Sequence, residues 1–166
     1  MKKILLLLGA GILNVTGYSQ CTELFISEYV EGTGNDKALE IYNPTNNAIN
    51  LSGYRIERFS NGSSTSSSGG VLNLVGTIAA HDVFVIVNGQ TVDVVSPPSP
   101  KCNPALQAMA DQLDGPYPAP MYMNGNDAIV LFKNTTIIDI FGKTGDAAMV
   151  SCWGWSDTFP YDCSAG

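Results

Sequence analysis

Glu28 and Glu40 stand in two alternating apolar runs on either side of the glycine- and acid-rich loop "EGTGND". Alternation of this kind reads as two strands of a hairpin, Leu24 to Val30 and Ala38 to Asn43. If Val30 faces Ala38, then Glu28 faces Glu40, with Cβ atoms about 5 Å apart, a like-charge pairing that destabilises a sheet. A basic partner, a bound cation or a shared proton would relieve it. Lys37, Arg55 and Arg58 are the basic candidates, through an ion-pair network with a strand at Tyr54 to Phe59. Calcium takes carboxylate and carbonyl oxygens from flexible loops, so the pair and its loop form a candidate cation site, although the spacing is not that of an EF-hand. A catalytic carboxylate dyad is the third reading. A register shifted by one residue would put the two glutamates on opposite faces and remove all three.

Other chemistry-bearing residues are sparse. His81 in "AAHDV" is the single histidine, and Asp82 follows it directly. Neighbours in a turn do not point at each other, and no GxSxG elbow is present, so the residues supply no serine triad. His81 is expected at the surface of a turn. The aromatic stretch "CWGWSDTFPY" offers Trp153, Trp155, Phe159 and Tyr161 either as a stacking surface for a glycan or protein partner or as a cover over the core. Cys21, Cys102, Cys152 and Cys163 allow three pairings. The short loop with "SDTFP" favours Cys152 with Cys163, leaving Cys21 with Cys102. The rival role for Cys21 is a lipid-modified N-terminus, against which bulky Tyr18 and Gln20 argue. No Cys or His spacing suits zinc.

The N-terminus carries Lys2 and Lys3, the apolar stretch "ILLLLGAGIL" and the more polar "NVTGYSQ", the pattern of an export signal. Residues 1–20 are expected to be removed, placing the mature chain at the cell surface or outside the cell, where cysteines pair. No stretch reaches the length of a membrane span. Loss of the two lysines leaves six basic residues against fifteen acidic ones, so the net charge moves from −7 to −9. Such a chain repels phosphate polyanions, which excludes nucleic acid binding by this domain alone.

The elements that must position these residues are mostly strands. The 166 residues, 45% hydrophobic and 14% charged, make one domain with a real core. Further strands are expected at Tyr54 to Phe59, twice within "VLNLVGTIAAHDVFVIVN", and twice in "DAIVLFKNTTIIDIFG" around the turn Asn134–Thr135. The tract "SNGSSTSSSGG" reads as a mobile connection. One helix is expected in "NPALQAMADQLDG", with Asn103 as N-cap, Pro104 first, Leu106, Met109, Ala110 and Leu113 as the apolar stripe and Gly115 as the stop. About seven short strands with one short helix define an all-β sandwich or barrel.

The stretches "LFISEYVEGTGNDKALEIYNPTNNAINLSGYRIE", "GTIAAHDVFVIVN", "ADQLDG" and "MNGNDAIVLFKNTTIIDIFGKTG", in this order from Leu24 to about Tyr161, resemble the lamin tail domain of secreted bacterial proteins. The resemblance implies an immunoglobulin-like β-sandwich over residues 21–166. It also implies a module without catalysis of its own, of the kind appended to secreted nucleases, phosphatases and surface proteins. The expected role is therefore binding or spacing outside the cell, with an unidentified protein or glycan partner. The alternative is the N-terminal accessory part of a secreted hydrolase. Family members usually continue past "WSDTFPY" to a last strand, whereas this sequence stops at Gly166. Either a disulfide-bearing end replaces that strand or the sequence is part of a longer chain.

Overall fold

The computed structural model describes residues 21–96 and 98–146. Within them lie β1 (Phe25–Glu31), β2 (Lys37–Tyr42), β3 (Ile49–Asn50), β4 (Tyr54–Phe59), β5 (Val71–Asn73), β6 (Thr77–Ile78), β7 (Val83–Val87), α1 (Pro104–Gln107), β8 (Gln112–Leu113), β9 (Ala128–Lys133) and β10 (Thr136–Phe141). Single 3-10 turns occur at Ser60–Gly62 and Pro120–Tyr122. Seven of the ten strands run three residues or more, and the other three are two-residue pieces.

Two four-stranded sheets, β1-β2-β7-β8 and β10-β9-β4-β5, carry the fold, with β3 and β6 paired separately. Successive strand side chains alternate between faces, and this alternation builds the core. Leu39 and Ile41 of β2, Phe84 and Ile86 of β7, Tyr54 and Ile56 of β4, and Ile129 and Leu131 of β9 meet between the sheets in one cluster. Each such aliphatic side chain contributes about 1.5–3 kcal/mol by leaving water. The arrangement is a sandwich, one of the two forms the strand pattern predicts, and it has the immunoglobulin-like form that the family resemblance implies.

The two lateral openings are closed by side chains. On one side β1 and β10 each carry a register irregularity, between Ile26 and Glu28 and between Ile137 and Asp139. There the Ile26 amide donates to Asp139 Oδ2 at 2.8 Å, and the Tyr29 ring stacks on Phe141 at 4.2 Å. On the other side Gln112 reaches from β8 to the end of β5. Its Nε2 donates to Asn73 O at 2.9 Å, and its Oε1 accepts from Val75 N at 3.0 Å.

Two local expectations are corrected. The helix begins as read, with Asn103 Oδ1 accepting from Ala105 N and Pro104 in the first position, but ends at Gln107. Beyond it Asp111 binds the Val85 backbone through both its amide and its carboxylate, and Asp114 N donates to Val87 O. The open edge of β7 thus takes this stretch as the parallel strand β8, and Met109 and Leu113 are exposed where a helical stripe would have buried them. The Ser/Gly tract is also bonded into the fold. Ser67 N donates to Arg58 O, Arg58 N donates to Gly70 O, and the Ser60 and Ser67 hydroxyls lie 2.6 Å apart.

Candidate functional site

The "EGTGND" loop folds on itself and onto a neighbouring segment. Gly32 N donates to Asp36 O at 2.8 Å, and Gly34 takes a φ of 60°, a conformation open to glycine without strain. Buried Asn35 donates through Nδ2 to Ser99 Oγ and to Pro100 O, while Asp36 Oδ1 accepts from Asn103 N at 2.6 Å. The loop's amide and one of its acids therefore hold residues 99–103 in place. It works as a clamp.

The hairpin register is the one that sets Glu28 opposite Glu40. Glu28 is exposed and Glu40 partly so, with its Oε1 accepting from Ser27 Oγ at 2.7 Å. The expected basic partners are engaged elsewhere: Lys37 with Glu31 at 3.3 Å, Arg55 with Glu57 at 2.6 Å, and Arg58 with Asp127 at 3.2 Å. The expected ion-pair network is thus replaced by separate pairs, because β4, which carries both arginines, belongs to the opposite sheet. Among the described residues no group of three or more His, Cys, Asp or Glu side chains is placed to hold a metal.

His81 sits exposed in its turn with φ 57°, its Nε2 2.8 Å from Asn46 Oδ1, while Asp82 Oδ1 accepts from Val83 N. Cys21 and Cys102 are both free, which corrects the expected bond between them. Cys21 lines a groove with Thr45, Asn46 and Asn47, beyond the end of β2, whereas Cys102 packs on Ala38 at its beginning. The intervening strand separates them by roughly 20 Å at about 3.3 Å per residue, far beyond the reach of a disulfide. Burial, with Asp36 beside it, pushes the Cys102 thiol above its ordinary value, as for an unreactive structural cysteine. Cys152, Cys163, Trp153, Trp155 and Tyr161 lie outside the described residues.

A polar set that the sequence reading passed over closes one end of the sandwich. Asp127 accepts from Asn61 N at its Oδ1, and from Asn124 N and Arg58 Nη1 at its Oδ2. Asp114 accepts from Gly115 N at Oδ1 and from Met121 N, at 2.6 Å, at Oδ2. Asn88 Nδ2 donates to Met121 O at 2.7 Å, and Arg58 Nη1 also donates to Tyr122 O. Burial raises the Asp114 carboxyl above its ordinary value, against the opposing pull of these amides and of Arg58. Arg58 and Asp127 are 6% and 1% exposed, so removing either would leave a buried charge alone, at about 3–5 kcal/mol. Among the described residues, the hydrogen bonds these carboxylates accept come from backbone amides and from Arg58. The set ties loops together. "NGND", Asn124 to Asp127, was its signal in the sequence, a tight polar turn immediately before an unbroken apolar strand.

The opposite end carries a partly exposed counterpart. Glu23 accepts from Tyr54 Oη at 2.6 Å and from Leu24 N at 3.0 Å through Oε1, and pairs with Lys133 Nζ at 2.7 Å through Oε2. Burial pushes the Glu23 carboxyl up, but the bonds from Lys133, Tyr54 and Leu24 outweigh it and hold the group below its ordinary value. A surface groove of about 400 Å³ lies nearby, lined by Asn50, Ser52, Tyr54, Asn73 and Val75 among others.

Two stacked sheets whose buried carboxylates serve the backbone define a domain of the immunoglobulin-like class. The model of the Lamin Tail Domain family matches residues 18–145, most of the chain, and the protein belongs to that family. No curated protein matches it.

Proposed function

We propose that this protein is an exported, non-catalytic lamin-tail module that binds a protein or glycan partner, or spaces other domains, at the cell surface or outside the cell. The observation that carries this is the use made of its polar side chains. Asp36, Asp111, Asp114, Asp127 and Asp139 each accept from backbone amides of other segments, so they fix a rigid frame whose outer surfaces are left for contact. Family membership supports the same reading.

The test uses the full chain expressed with its own N-terminus. N-terminal sequencing of the exported fraction is expected to begin near Cys21, and the purified protein is expected to turn over neither DNA nor a phosphomonoester, with or without divalent metal. Retention inside the cell with Met1 intact would remove the export reading. Turnover abolished by Glu28→Gln or Glu40→Gln would remove the non-catalytic one.

A further inference from the structure

Asp36, Asp114 and Asp127 bond backbone amides, whereas another polar set leaves most of its groups unused. Asn50 of β3, Ser52 in the turn that follows, Asn73 of β5 and Thr77 of β6 line the groove of about 400 Å³ between the end of β5 and the β3–β6 pair. Asn50 and Thr77 are directly opposed partners, so their side chains stand on one face. Asn50 Oδ1 accepts from Ser52 N at 2.8 Å. Among the described residues the side chains of these four make no other hydrogen bond, which leaves Asn50 Nδ2, Ser52 Oγ, the Asn73 side-chain amide and Thr77 Oγ1 open to a ligand. The walls of the groove are fixed by the fold. Leu51 N donates to Gly76 O at 3.0 Å, Leu74 N donates to Tyr54 O at 2.9 Å, and Gln112 holds Asn73 and Val75. Gly53 and Gly76 bring no side chain to it, and Gly76 takes a φ of 114°, which other residues rarely adopt.

We infer that this groove binds a neutral glycan. The inference rests on the reading of the domain as a binding module and names the ligand class of one site. Charge selects the ligand first: none of the lining residues carries one, the Tyr54 hydroxyl is bonded to Glu23, and Glu23 and Lys133 are paired with each other at 2.7 Å. An ionic ligand would find no counter-charge here. Hydrogen-bonding chemistry selects it next, because side-chain amides and hydroxyls together both donate and accept, as sugar hydroxyls do. The volume lies within the roughly 300–1,000 Å³ of small-ligand sites, and Val75, 66% exposed, adds an apolar contact for the C–H face of a sugar ring. An extended peptide is the poorer candidate, since Gln112 already holds Asn73 O and Val75 N, the backbone positions at which an added strand would pair.

The test titrates the full, isotope-labelled chain and follows its backbone amide shifts by nuclear magnetic resonance. The probes are neutral oligosaccharides of glucose, mannose, xylose and N-acetylglucosamine, neutral glycans released from glycoproteins, and an oligogalacturonate as the charged control. A neutral probe at millimolar concentration is expected to move the amides of Asn50, Ser52, Asn73 and Thr77, and the two neutral sets tell a polysaccharide source from a glycoprotein source. Asn50→Asp keeps an oxygen for Ser52 N and loses the free donor, while Thr77→Val keeps the shape and loses the hydroxyl. Each should weaken binding about three- to tenfold with the melting temperature little changed. No shift at these amides with any neutral probe, or binding of the galacturonate as tight as that of the neutral probes, would overturn the inference. Oligosaccharide binding that moves amides elsewhere, and that neither variant weakens, would overturn it too while leaving the binding-module reading in place.

Discussion

The inner faces of the two sheets are alike, apolar and largely buried, but their outer faces differ. On the first sheet Glu28 and Glu40 stand side by side with Val30 and Val83 open to water, and only the corner at Ala38 and Val87 is covered. On the second, Phe59, Ala128, Val130 and Phe132 are buried. The sequence carries the same contrast: "ALEIY" in β2 alternates, whereas "AIVLF" in β9 is unbroken, the pattern of a strand covered on both sides. Opposed like charges are tolerated on the first face because water reaches them and screens them. An uncompensated charge on the second would have no such relief.

The largest expected effect comes from truncating the covered face. Phe132→Ala should lose about 3 kcal/mol or more in urea unfolding, against about 1 kcal/mol for Phe25→Ala on the open face. Equal losses would erase the distinction between the faces.

Acid should act next, through the end that holds both sheets together. Glu23 is held below its ordinary value in the folded protein, so its contribution is present above the unfolded value of 4.5 and is lost as pH falls through the depressed one. Asp114 has the opposite sign: its raised carboxyl favours the fold below the ordinary carboxylate value of 3.8, and that advantage fades as pH rises through the raised one. The difference in melting temperature between wild type and Glu23→Gln should therefore narrow steadily as pH drops below 4.5. A constant difference would mean that the Glu23–Lys133–Tyr54 group gives the fold nothing that depends on charge.

On the open face the effects are smaller. Glu40→Gln keeps an oxygen for Ser27 Oγ and removes one of two opposed charges, so it should stabilise by about 0.2–1 kcal/mol at low salt. The gain should shrink as salt rises, and destabilisation at low salt would show that the opposed pair is compensated. Smallest of all, added calcium or chelator should leave the melting temperature unchanged, because calcium takes about six to eight oxygens and the opposed pair supplies two carboxylates. A rise with calcium that Glu40→Gln abolishes would place a cation there after all.

The hairpins were legible because alternation and turn chemistry are local. The Glu28–Glu40 pairing followed from period two, and Asn134 turns the β9–β10 hairpin with the left-handed φ of 55° that asparagine tolerates. The end of α1 was not legible. Leu106, Ala110 and Leu113 have helical spacing, yet what stops the helix is the unpaired edge of β7, which is remote in sequence. The loop-tying set escaped for the same reason: Arg58, Asp114 and Asp127 look like surface residues until two connections, far apart along the chain, bring them together under cover. The free state of Cys21 and Cys102 was likewise a matter of distance, set by a strand lying between them.

The reach of Gln112 to Asn73 O and Val75 N has a further consequence. A glutamine side chain carries one amide donor and one carbonyl acceptor, as a peptide unit does, and here it occupies backbone positions at the exposed rim of β5 that another molecule's strand would otherwise take. The bond thus guards against chains joining rim to rim into aggregates, a protection carried by one side chain that asks for no further strand.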